Sequence, residues 1–238
     1  MSWHLGRMAG FDLETTGVDT ETDRIITACV VLVGGKHPTQ STTWLANPGV
    51  EIPDGAAEVH GITTEQARAE GQPAGQVVEQ VIAALAQATY AGIPIVIMNA
   101  SFDLTLLDRE AERHRVHPLT GEGRSDLRVV DPRILDRQVD RYRSGKRTLT
   151  HLCQHYGVRL DAAHSADADA LAAYRVARRQ ANQYPQLAAM TLDELHTAQV
   201  GWAAEQAASL QEHFRKTRPD AAVEGAWPLI PRQKEATP

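Results

Sequence analysis

Residues 8–17 read MAGFDLETTG, a short apolar run that ends on Asp12 and Glu14, spaced two apart. Met8–Leu13 is predicted to be a strand, and the Ile- and Val-rich stretch 24–33 a second, longer one. The polar turn residues TTGVDTETD separate them, and Gly34-Gly35 signals a turn into a third strand over 42–45, closing an antiparallel meander. In an extended chain, side chains two apart point to the same side, so Asp12 and Glu14 converge while Leu13 faces away. Phe11 is assigned to the acidic side. Like charges ~5–7 Å apart beside a core are unfavourable unless a cation or good hydrogen bonds compensate. A divalent ion held by oxygen ligands resolves that conflict directly, and a solvated strand end is the competing reading.

Outward from this stretch, residues 47–61 are punctuated by Pro and Gly and are expected to be loop. Helices are expected over 63–69 and 77–89, and a buried strand over 93–98. A helix over 102–114, a brief strand over 128–131 stopped by Pro132, and helices over 134–142, 148–156 and 165–183 complete the pattern. A run of strands followed by strand–helix alternation implies an α/β domain with a mixed sheet and helices packed around it. Beyond Pro185, the residues Leu192, Leu195, Val200, Trp202, Leu210 and Phe214 trace the apolar side of one long helix. Residues 1–186 are therefore expected to form the domain, and 187–238 an appended helix and tail without a flexible linker.

Composition bounds the function classes. The chain has 238 residues, 42% hydrophobic and 23% charged, which excludes disordered, collagenous and coiled-coil chains. The longest apolar stretch, 25–33, is about half of a ~20-residue membrane span. No signal-peptide core begins the chain, and Cys29 and Cys153 offer no disulfide framework. A soluble, cytoplasmic protein with no membrane partner is expected. A net charge of −6 gives no broad basic footprint of the kind long-duplex binders carry. Basic charge nevertheless gathers between Arg124 and Arg147, through Arg128, Arg133, Arg137, Arg141, Arg143 and Lys146. That strip reads either as an ion-paired helix face or as a phosphate-facing surface.

Asp-x-Glu alone is a weak signal, since 15 Asp and 15 Glu give about one such pair by chance. Asp19/Glu21 lies in a polar loop, and Asp108/Glu110 on a predicted helix where i and i+2 diverge. A second constellation is HSADAD over 164–169. Ser165 is a natural N-cap, which places His164 on the loop and Asp169 in the first helical turn, with Asp167 as the competing acid. Histidine there is the side chain best suited to take a proton near neutral pH. The third is NASFD over 99–103, just after the buried strand, where ligands gather in α/β sheets. Asp103 adds an acid at that edge and Phe102 an aromatic suited to stacking on a base. His151 and His155 lack further zinc ligands, the GKRT at 145–148 is no P-loop, and no nucleophile elbow occurs.

In chain order, FDLETTG (11–17), NASFD (99–103) and HSADAD (164–169), with VHGIT (59–63) between the first two, resemble the DEDDh, or DnaQ-like, 3′→5′ exonuclease family. The resemblance spans about residues 7–180 and implies an RNase H-like fold with a mixed five-stranded sheet. It makes Asp12, Glu14, Asp103 and Asp169 the acids that organise two Mg²⁺ or Mn²⁺ ions, and His164 the general base. Thr15, His60, Asn99 and Phe102 become contacts to the terminal nucleotide. The implied substrate is a single-stranded 3′ end, DNA favoured, releasing nucleoside 5′-monophosphates. An RNA-trimming enzyme and an inactive nuclease-like binding protein are the rivals. A DNA polymerase is a partner that the family brings into view, although the tail after Pro185 carries no clamp- or polymerase-binding signature.

Overall fold

The computed structural model describes residues 2–120, 126–160, 165–218 and 220–232. Strands β1 (Arg7–Thr15), β2 (Ile25–Gly34) and β3 (Gln40–Asn47) form the antiparallel meander. Helices α1 (Asp54–His60) and α2 (Thr64–Glu70) follow, then the two-residue strand β4 (Gln72–Pro73) and helix α3 (Ala74–Tyr90). The chain continues through β5 (Ile95–Val96), α4 (Ala100–Arg113), β6 (Val129–Val130), α5 (Pro132–Val139) and α6 (Leu149–Tyr156). It ends in α7 (Ala166–Gln183), α8 (Pro185–Ala189) and α9 (Leu192–Thr217). Strand order is β4-β3-β2-β1-β5-β6. The parallel pairing of β1 with β5 and of β5 with β6 makes the sheet mixed, as expected, and β4 adds a short parallel strand outside β3.

Alternation along the strands divides the core. Ala9, Phe11, Leu13, Ala28 and Val30 pack with α3 and α4 on one face, whereas Met8, Cys29 and Val31 pack with α7 on the other. Phe11 therefore shares the side of Leu13, and the expectation that set it beside the acids was wrong: odd and even positions of β1 part company. Residues 47–61 hold a helix where a loop was expected. Its punctuating residues are caps: Pro53 precedes α1 and Gly61, at φ 78°, closes it in the left-handed region.

The C-terminal helix lies along the outer edge of the sheet. Thr191 and Glu194 start α9 with a reciprocal capping box. His196 Nδ1 accepts the Val129 amide (3.1 Å). Gln199, fully buried, donates to the Val129 carbonyl (2.9 Å) and accepts the Asp131 amide (2.7 Å). These side chains satisfy backbone groups of β6 that a further strand would otherwise take. Residues 220–232 then fold back, so that the Ile230 amide meets Thr105 Oγ1 (2.9 Å) and Trp227 is buried against His196. Among the described residues, no helix is long and apolar enough to cross a membrane.

Candidate active site

The site forms where β1 outruns its parallel neighbour. β5 reaches only Val96, opposite Gly10, so nothing in the sheet flanks Asp12–Thr15 on that side. Asp103, in the first turn of α4, takes the position and accepts the Leu13 amide on Oδ1 at 3.2 Å. From the other face comes α7. A Cβ added to Gly10 would lie 2.4 Å from the Ala170 carbonyl oxygen, so helix and strand backbones touch directly at this glycine. That approach carries Asp169, one residue before Ala170, to the end of β1.

As a result, one carboxylate oxygen each from Asp12, Glu14 and Asp169 lies within 4.8 Å of the others. Asp103 stands beside this trio, only 4% exposed, with its carboxylate turned to β1. The electrostatic cost is visible in the protonation equilibria. Burial first, then Asp103, Asp169 and Glu14, push the Asp12 carboxyl well above the usual range. Burial and then Asp169 raise Glu14 to about 7. Asp103 is also raised, by burial and by Asp131 and Glu14, against the lowering effect of its amide hydrogen bonds. A set of hard oxygen donors crowded to mutual repulsion suits a divalent cation such as Mg²⁺ or Mn²⁺. The residues fit a divalent metal ion.

The other singled-out residues surround this cluster unevenly. Asn99 leads into α4 with φ 67°, the left-handed conformation that Asn tolerates better than most residues. Its side-chain oxygen accepts a hydrogen bond from Arg133. Phe102 is half-buried against the apolar core and thus less exposed than a free stacking platform. Thr15 donates to the Gly17 carbonyl (2.6 Å) just past a register shift in β1. His60 ends α1; its Nδ1 accepts the Ile62 amide (3.1 Å), while Nε2 is buried with no hydrogen-bond partner. Burial lowers the His60 pKa and favours the neutral ring. His164 lies outside the described residues. Ser165 leads α7 with its hydroxyl on the exposed Asp167 rather than on a helix amide. The bypassed pairs are placed apart: Glu21 pairs with Arg109 (2.8 Å), and Glu110 is buried against Arg113.

Sequence reasoning missed Asp131 and Gly10. Buried Asp131 accepts the amides of Asn99 (3.1 Å), Ala100 (2.9 Å) and Arg133 (2.9 Å), and the indole of Trp227 (3.3 Å). It thereby holds Asn99 in its left-handed turn at the mouth of α4. The available signal was Asp131-Pro132, an N-cap followed by proline at the first helical position. Part of the basic strip is ion-paired: Arg143 (2.8 Å) and Arg147 (2.7 Å) converge on buried Asp136, and Arg128 pairs with Asp193, while Arg141 and Lys146 are exposed. Arg124 lies outside the described residues.

The RNase T family model, described as exonuclease, matches residues 9–177. A comparison with curated proteins gives no match. Among solved structures, an exonuclease I is similar at 20% identity and TM-score 0.66, covering 81% of this chain and 43% of that one. The zinc-bound complex of E. coli exonuclease I with single-stranded DNA gives 19% identity and TM-score 0.63, over 76% of this chain and 42% of that one. An exonuclease I from Methylocaldum szegediense gives 20% identity and TM-score 0.58, over 76% and 42%. At such identities the likeness is one of fold, and this chain spans less than half the length of those proteins.

Proposed function

The chain belongs to the RNase T family of exonucleases, and from that premise we propose that it removes nucleoside 5′-monophosphates from the 3′ ends of single-stranded DNA in a metal-dependent reaction. The observation that carries this reading is the convergence of Asp12, Glu14 and Asp169 within 4.8 Å at the open end of β1. The catalytic unit is residues 1–186, with 187–238 as an extension whose described residues pack on its edge. E. coli exonuclease I, which has the same fold, is known with a dT13 oligonucleotide, and that supports a single-stranded DNA substrate. Free, buried Cys29 and Cys153 suit a reducing cytoplasm.

Asp12, Glu14 and Asp169 would hold two Mg²⁺ or Mn²⁺ ions, with Asp103 beside them. Bound there, the ions supply positive charge against the scissile phosphate and a more acidic water. Asp103 keeps the end of β1 in place through the Leu13 amide. His164 accepts the proton of the attacking water in its neutral form, so turnover falls as pH drops and the ring becomes protonated. Thr15, His60, Asn99 and Phe102 contact the terminal nucleotide, the neutral His60 ring offering its unsatisfied Nε2.

End-labelled DNA and RNA oligonucleotides incubated with Mg²⁺ or Mn²⁺ test this reading. DNA is expected to shorten stepwise from the 3′ end, and Asp12→Ala to abolish release. His164→Ala should lower turnover by about 10²–10⁴-fold while KM changes little. Release from neither polymer, or an unimpaired Asp12→Ala variant, refutes it. Faster loss from RNA would reassign the substrate.

A further inference from the structure

A groove of about 870 Å³ lies at the opposite end of the sheet from the acids. Lys36 and His37 of the β2–β3 turn, Arg159 after α6, and Arg175, Arg178 and Arg179 of α7 line it, and among the described residues no carboxylate does. Among the described residues, Lys36, Arg175, Arg178 and Arg179 form no ion pair with an acid, and all are exposed. In a chain of net charge −6, so one-sided a surface is not what composition alone produces. Like charges at i, i+3 and i+4 also weaken the helix that bears them, by about 0.2–0.5 kcal/mol per pair. Among the described residues, no carboxylate pairs with Arg175, Arg178 or Arg179 to offset that cost. An external polyanion would.

We propose that this groove is a second binding site for the phosphate backbone of a single-stranded nucleic acid, gripping the strand upstream of the end being processed. The proposal rests on the exonuclease reading above. Arg175 stands one helical turn, about 5–6 Å, before the adjacent Arg178 and Arg179, so the three cations spread along the groove rather than converging on one point. A series of that kind suits successive phosphates better than a single anion. Tyr174 in the floor is 5% exposed, so its ring is not presented for stacking and the grip is on backbone, not on bases.

The distance to the acids sets a length threshold. Asp12 is opposite Cys29, whereas Gly34, which lines the far end of the groove, is opposite Arg7. That offset is about 17 Å at ~3.3 Å per strand residue. A stacked strand advances about 3.4 Å per nucleotide, and the arginines lie about 9–15 Å from Asp169 along α7 at ~1.5 Å per residue, so they are reached about three to five nucleotides from the acids. One helix joins the two sites, since α7 begins near Asp169 and carries the arginines on its later turns.

The test is binding of fluorescent 3-mer and 15-mer DNA to the full chain in chelator, without turnover. Changing Arg175→Glu, Arg178→Glu and Arg179→Glu together should weaken the 15-mer at least about tenfold and the 3-mer by less than about twofold. The slope of log affinity against log salt should fall by about 2, as three phosphate contacts at ~0.7 each are lost. Lysine at the same three positions should restore most of the 15-mer affinity. Unchanged 15-mer affinity and slope in the glutamate variant would overturn the proposal, as would equal losses on both lengths. Competition by an acidic peptide as strong as that by DNA of equal charge would assign the groove to polypeptide and overturn it too. Because binding is read without catalysis, a chain that binds in this way but degrades nothing sinks the exonuclease reading and leaves the groove standing.

Discussion

Glu14 titrates near 7 because burial and then Asp169 oppose its charge, and Asp12 and Asp103 rise for the same kind of reason. A carboxyl raised in the folded state binds its proton more tightly there than in the unfolded chain. Its contribution is therefore full below the ordinary carboxylate range and is lost as pH rises through the folded value. The metal-free protein is expected to melt at progressively lower temperature from about pH 4.5 to pH 7 and slightly beyond. Adding Mn²⁺ at pH 7.5 should raise the Tm, and Glu14→Gln should flatten the metal-free profile; thermal scans in chelator and in metal check both. A flat profile for the unaltered chain would contradict the crowding. At this scale, Asp12, Glu14, Asp103 and Asp169 were legible because two short-range rules, strand alternation and helix-start position, put them at element ends. Asp131 was not, since its work is done through Asn99, Gln199 and Trp227, far away along the chain.

Among elements, the contact between β1 and α7 decides the geometry. Gly10→Ala puts a methyl group where the Ala170 carbonyl lies, and one backbone must retreat. We expect a loss of about 1–3 kcal/mol in chemical denaturation. The activity loss should exceed what the remaining folded fraction explains, because Asp169 moves off with the helix. Full activity at reduced stability would show that the acids tolerate the shift. Strands β2 and β5 were legible from β-branched runs, but not the brevity of β5, which depends on where α4 begins. The α1 helix was hidden by the same Pro and Gly that cap it. A glycine inside a strand signals close backbone approach in general, yet which partner approaches Gly10 is a matter of tertiary packing.

For the whole molecule, the helical extension behaves as part of the sheet's edge. Gln199→Ala leaves the Val129 carbonyl and the Asp131 amide buried without partners, at a cost of about 2–4 kcal/mol. The same substitution loosens Asp131 and hence Asn99, so KM for the terminal nucleotide is expected to rise while a chain cut after residue 186 fares worse in both stability and solubility. Equilibrium unfolding and steady-state kinetics distinguish these outcomes from a merely decorative helix. From sequence, the long apolar stripe of α9 was readable, but not that polar residues between its apolar positions would be buried against backbone. Closing a flank with imidazole and carboxamide groups has one more result. Such groups have no repeating row of donors and acceptors, so a second copy arriving there finds no template on which to polymerise.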